Sequence, residues 1–277
     1  MSHPHSYSGP AFLSYGFRPF FMAACLFAVV IIPLWMLIWT GGLTLQSVLV
    51  PVDWHSHEMI FGYGSAVIAG FLFTAVPNWT GGMPTRGWPL CAMLTLWLAG
   101  RLAVLGVVPL SWGAVASIDS AFLLVLAVFV AREIISGKNW RNLMVLVPVS
   151  LLGVSNLCFF VESALMGQAD VSRRLGLALV IFLVLLIGGR IIPSFTRNWL
   201  NQKGYRALPA PFGKFDQLSL LATIPALVVW VIRPESLSAA VLMCLAALLQ
   251  KARLARWRGL STLRNPILAM LHVAFLF

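Results

Sequence analysis

Long apolar stretches, separated by short polar connections rich in glycine and proline, run the whole length of the chain. They lie near residues 20–40, 58–76, 88–107, 111–131, 143–165, 173–192, 216–232 and 236–251. Each approaches the roughly 20 residues that a helix needs to cross a hydrocarbon core. None alternates apolar and polar positions, so the stretches read as helices and not as barrel strands. A ninth stretch begins near Asn265 and is still apolar at Phe277, about 13 residues against the roughly 20 required. The pattern predicts an all-α, polytopic transmembrane helical bundle of about eight complete spans plus the start of a ninth. A polar tail, 1–19, precedes a transmembrane domain, 20–277, which is expected to be truncated at its C-terminal end and to belong to a longer bundle.

Composition sharpens this picture. Of 277 residues, 60% are hydrophobic and only 10% charged, against about 25% charged in ordinary soluble domains. The net charge of +11 would suit a nucleic-acid partner if the cations formed one patch, but they sit in short loops between apolar stretches, which is how membrane orientation is encoded. With the N-terminus inside, fifteen of the 19 Lys and Arg fall in inside segments. Only Arg173, Arg174 and Arg233 fall outside, and Arg101 lies within a span. The tail is therefore expected in the cytoplasm, Leu43–Glu58 on the outer side (the periplasm in a bacterium), and the first span is expected to double as the insertion signal. The lipid bilayer is the one partner this reading requires; nucleic acid is excluded. Cys25, Cys91, Cys158 and Cys244 each lie inside an apolar run without a C-x-x-C spacing, and read as small hydrophobes.

The polar residues that break the apolar pattern carry the candidate chemistry. Asp53-Trp54-His55-Ser56-His57-Glu58 crowds one mouth of the second span, where ionisable groups are expensive and mark sites. On a helix, residues two apart point to nearly opposite sides. The expected arrangement therefore puts His55 in the loop, His57 in the first turn, aligned with Phe61 and Gly64, and Glu58 at the helix N-terminus, where the macrodipole favours a carboxylate. Metal or haem ligation by these residues stands beside a plainer reading, a capped helix start with interfacial histidines. His272, about eight residues into the ninth span, needs a partner at that depth, which a metal, a hydroxyl or a carbonyl would supply. His3 and His5 flank Pro4 in the tail, with at most a minor metal role.

Arg101 and Asp119 lie equally far from the turn near Leu110, so an antiparallel hairpin brings them to one depth. Either a clasp between two helices or a proton or ligand relay follows. Arg190, in Gly188-Gly189-Arg190-Ile191-Ile192-Pro193-Ser194-Phe195-Thr196, is placed at the end of the sixth span, where the glycines and Pro193 are expected to break the helix. It either snorkels to the interface or pairs with an anionic group such as a propionate. The connection from Pro193 to Phe215 reads as an ordered interfacial loop anchored by Trp199 and Tyr205, and Asn78, Trp79 and Arg86 read as interfacial anchors. No G-x-S-x-G, P-loop or G-x-G-x-x-G motif is present.

Four segments together resemble NnrS proteins: Gly16-Phe17-Arg18-Pro19-Phe20-Phe21, Trp54-His55-Ser56-His57-Glu58-Met59, Ala69 through Gly81, and Gly189 through Thr196. The resemblance covers nearly the whole chain in order. It implies a bacterial inner-membrane protein of about twelve spans, tied to the response to nitric oxide and containing haem and copper. It also implies cofactor or metal roles for His55, His57, Glu58, Arg190 and His272. Two departures stand out. The family's late histidine motif looks like Leu-His-x-Gly-Tyr, where this chain has Leu271-His272-Val273-Ala274-Phe275, and about three final spans are missing. Three functions compete: a haem–copper protein that limits nitrosative damage, a transporter of a small metabolite or metal complex, and a sensor or scaffold in a respiratory assembly.

Overall fold

The computed structural model describes residues 7–277; His3 and His5 lie outside the described residues. Ten α-helices appear there, with short 3-10 turns and no strand among them. They are α1 (Phe17–Trp39), α2 (Pro51–His57), α3 (Ser65–Thr80), α4 (Trp88–Leu105), α5 (Trp112–Ser136), α6 (Leu143–Met166), α7 (Asp170–Gln202), α8 (Lys214–Ile232), α9 (Leu237–Ala255) and α10 (Pro266–Leu276). A π-helical segment, Glu58–Gly64, joins α2 to α3 in one continuous helix. Eight of the resulting helices are long and apolar enough to cross a membrane, and α10 is a shorter apolar helix.

Local sequence explains where the helices begin and end. Ser111, Ser236 and Asn265 cap α5, α9 and α10 by accepting the N–H of Ala114, Ala239 and Leu268 at 3.4, 3.1 and 3.3 Å. Proline opens α2, α4 and α10, where its missing N–H is no loss. Gly81, Gly106 and Gly167 close α3, α4 and α6 with positive φ.

The chain divides into two compact units. The first ends at Gly176, within α7; in it α5 packs on α4 and α6, and α1 and α5 on α3. The second, Leu177–Phe277, contains the α8–α9 hairpin with α10 against α9. Val29, Val128 and Leu165 in the first unit, and Leu221 and Leu248 in the second, remain exposed. An apolar exterior of this kind suits acyl chains and not water.

Three expectations about boundaries are corrected. The second span starts at Pro51, not 58, so His55 is helical instead of lying in a loop, and Glu58 is inside a helix instead of at its N-terminus. The helix carrying Arg190 does not break at Pro193; it runs on to Gln202 and shortens the following connection. Pro33, Pro77, Pro148 and Pro225 are likewise helix-internal. In a bilayer, neighbouring helices and local adjustments re-satisfy the backbone groups a proline frees.

Candidate functional site

The polar residues of the second span fold inward. His57 and Glu58 are 0% and 1% exposed, and meet Arg101 from α4, Asp119 from α5 and Asn156 from α6, all buried. Arg101 donates to Glu58 Oε1 at 2.7 Å and to Asp119 Oδ1. The hairpin clasp expected from equal spacing about the turn is therefore formed, and it is one side of a larger cluster. Asn156, which the sequence reading passed over, donates through Nδ2 to Asp119 Oδ2 at 2.7 Å, and its Oδ1 lies 2.8 Å from His57 Nε2. His57 Nε2 is also 3.1 Å from Asp119 Oδ2, and His57 Nδ1 is 3.1 Å from Glu58 Oε1. The signal for Asn156 was available: a lone amide within the apolar run Val154–Phe160 must find a partner.

This wiring constrains the histidine. Because Asn156 spends its N–H on Asp119, its oxygen faces His57, and Nε2 must carry a hydrogen. On the other side of the ring Nδ1 faces Glu58 Oε1 at 3.1 Å. With a proton on that axis, the two carboxylates, the guanidinium and the imidazole sum to zero charge. A net-neutral, hydrogen-bonded group is the arrangement in which four ionisable side chains persist away from water.

Packing around the cluster is close. Phe61, Phe159 and Phe160 surround the His57 ring with centroids 5.0–5.3 Å away. A Cβ on Gly62 would stand 2.5 Å from Arg101 Nη1, and one on Gly100 would stand 2.8 Å from Asp119 Oδ1. The π-helical turn turns the Gly62 carbonyl toward α4, where the Trp97 indole N–H donates to it at 3.0 Å. Such turns recur at functional sites. Asp53 is separate from the cluster. It accepts the Ala169 N–H at 2.8 Å and the Ser163 hydroxyl at 3.2 Å, tying α2 to the α6–α7 turn. His55 is half-buried, its ring stacked on Trp35 with centroids 4.4 Å apart, and its buried Nδ1 has no partner.

The second unit holds two further buried polar groups. His272, on α10, is 7% exposed. Its Nε2 is 2.9 Å from the Thr196 hydroxyl on α7, while its Nδ1 is buried without a partner. A Cβ added at Gly259 would fall 3.0 Å from that nitrogen. Of the partners that could satisfy this histidine, a metal, a hydroxyl or a carbonyl, a hydroxyl is present on one ring nitrogen and the other nitrogen is spare. Arg190 is half-buried on α7 and is engaged in an interaction of its own. Asp216 accepts from Arg253 Nε at 2.9 Å and from Arg256 at 3.4 Å, and Arg253 also donates to Leu185 O and Gln250 Oε1. Arg253 lies just beyond the apolar stretch 236–251, and α9 runs past it to Ala255. Asp216 and Arg253 lie equally far from the turn between Ile232 and Leu237, the same signal that revealed Arg101 and Asp119.

Among the described residues, no three His, Cys, Asp or Glu side chains are grouped as a set for one metal ion. The family model for NnrS proteins matches residues 11–277, which include every residue of both units discussed above. The chain belongs to the NnrS family. No curated protein and no solved structure matches it. In this NnrS protein, the histidines among the described residues separate into two kinds. His57 has both ring nitrogens occupied, whereas His55 and His272 each keep a buried nitrogen free.

Proposed function

We propose that this multi-pass protein serves the response to nitric oxide and nitrosative stress as a haem- and copper-holding component of the bacterial inner membrane, with its N-terminus in the cytoplasm. The observation that carries the reading is the family match across residues 11–277. The basic-residue asymmetry supports the orientation.

The donor atoms that the structure leaves without partners guide the choice of residues for the cofactors. His57 and Glu58 are the weaker candidates, because both ring nitrogens and the carboxylate are already engaged in the cluster and three phenylalanine rings surround the imidazole. His272 is the better candidate because its buried Nδ1 has no partner; Gly259 packs close to that nitrogen, where a Cβ would stand 3.0 Å away, so a metal there needs the two segments to part. Thr196 orients the ring by binding Nε2, as a partner beyond the metal orients a ligating imidazole. His55 fits less completely, with one spare nitrogen and the Trp35 ring holding its plane. A haem iron or copper bound at such a nitrogen would supply an open coordination position for nitric oxide. The charge cluster holds four helices of the first unit together, and Arg190 remains a candidate for pairing with an anionic group on the cofactor.

The test is an optical spectrum and a copper assay on the purified chain, with His272→Ala, Thr196→Val and His57→Ala beside it. The expected result is a Soret band or bound copper in the parent, lost with His272→Ala at unchanged yield and weakened with Thr196→Val. His57→Ala should lower the folded yield without changing cofactor per folded protein. A folded parent that takes up neither haem nor copper overturns the reading.

A further inference from the structure

A cavity of about 510 Å³ opens at the end of the second unit where α7 finishes and α10 begins. Its walls are Trp199, Lys203, Tyr205, Arg264, Asn265 and Pro266. Each wall is held by local structure. Gly204, at φ +75°, reverses the chain after α7, and the Tyr205 N–H closes that turn on Leu200 O at 3.0 Å. The Trp199 and Tyr205 rings stack at 6.3 Å. Opposite them, the Asn265 N–H bonds Thr262 O at 2.7 Å, and its side chain caps α10.

Two cations share this cavity, and among the described residues neither has a carboxylate within ion-pair reach. Both side chains are exposed, as are Arg197, Arg206, Lys214, Lys251 and Arg258; what sets Lys203 and Arg264 apart is that they line one concavity. Two like charges gathered around a concavity, unneutralised, favour an anion between them. An arginine offers a planar fork of donors and a lysine a movable point charge, the pair of geometries that suits phosphate oxygens. The positive end of the 11-residue α10 adds to the field. The Trp–Tyr stack gives the cavity an apolar, ring-lined wall of the sort found at headgroup depth.

We propose that Lys203 and Arg264 form a binding site for a phosphate group, carried either by an anionic phospholipid headgroup or as free inorganic phosphate. The site is independent of the cofactor assignment. Native mass spectrometry of the detergent-purified chain, titrated with phosphatidylglycerol, phosphatidylcholine or inorganic phosphate, reads occupancy directly. Binding should weaken about fivefold for Lys203→Gln or Arg264→Gln and about thirtyfold for both together, from roughly 1 kcal/mol per interfacial cation. The charge-keeping Lys203→Arg should bind as the parent does. Arg197→Gln with Arg206→Gln, which removes equal charge from positions that do not line the cavity, should change binding less than twofold. A preference for phosphatidylglycerol over inorganic phosphate identifies the headgroup as the source; the reverse identifies the free ion. Equal weakening by the two double variants, or no phosphate-dependent binding by a parent that is monodisperse and folded, overturns the proposal.

Discussion

Removing one member of the Arg101–Asp119 pair should damage the protein more than removing both. Asp119→Leu leaves Arg101 with Glu58 alone, leaves Asn156 Nδ2 without its acceptor, and gives the cluster a charge of +1. Arg101→Met takes the 2.7 Å donor from Glu58 and leaves a charge of −1. Breaking a buried pair this way costs about 3–5 kcal/mol. At about 2–4 °C per kcal/mol for a domain of this size, each single variant should lose on the order of 10 °C in apparent melting midpoint. The double variant keeps the His57–Glu58 pair and zero net charge, and replaces two ions by apolar side chains of similar length. Its loss should fall below that of either single variant. The assay is detergent-solubilised thermal unfolding followed by size exclusion of a fluorescent fusion, read as a double-mutant cycle. A double variant that loses the sum of the two singles would refute both the pairing and the charge count.

Two further outcomes follow from the same geometry. Gly62→Ala should destabilise by about 1–3 kcal/mol even though alanine favours helix, because its Cβ would meet the Arg101 guanidinium; a gain in melting midpoint would show that the guanidinium has other room. Thr44→Cys, in the exposed loop between α1 and α2, should react with a membrane-impermeant thiol reagent in intact spheroplasts, because the basic-residue bias places that loop outside. Labelling only after lysis would reverse the orientation.

The spans were legible because hydropathy over twenty residues is a coarse signal that neighbours cannot erase. Their ends were not, for two physical reasons. Asp53, His55, His57 and Glu58 look like a loop to any hydropathy reading, since partners from α4, α5 and α6 are invisible in one segment of sequence. Pro193 looks like a helix end, since its lost hydrogen bond is fatal in water; within α7 it is not. The site was half legible. Equal spacing about a turn exposed Arg101 and Asp119, and applied once more would have exposed Asp216 and Arg253. Nothing in the spacing foretold that both nitrogens of His57 would be taken, because Asn156 reaches it from 99 residues away.

That separation has a consequence for biogenesis. The residues of the cluster leave the ribosome in the order His57 and Glu58, then Arg101, then Asp119, then Asn156. A lone arginine or aspartate within a span opposes insertion, by up to about 2.5–3.5 kcal/mol at the span's centre and by less toward its ends. The α4–α5 hairpin therefore enters the bilayer most readily as a pair, its two ions already joined, and Glu58 and His57 wait in the second span until it arrives. Only when α6 delivers Asn156 does the histidine find its last partner. A chain halted before α6 would carry an unfinished polar seam facing lipid, which is the kind of surface that membrane quality-control machinery can grip.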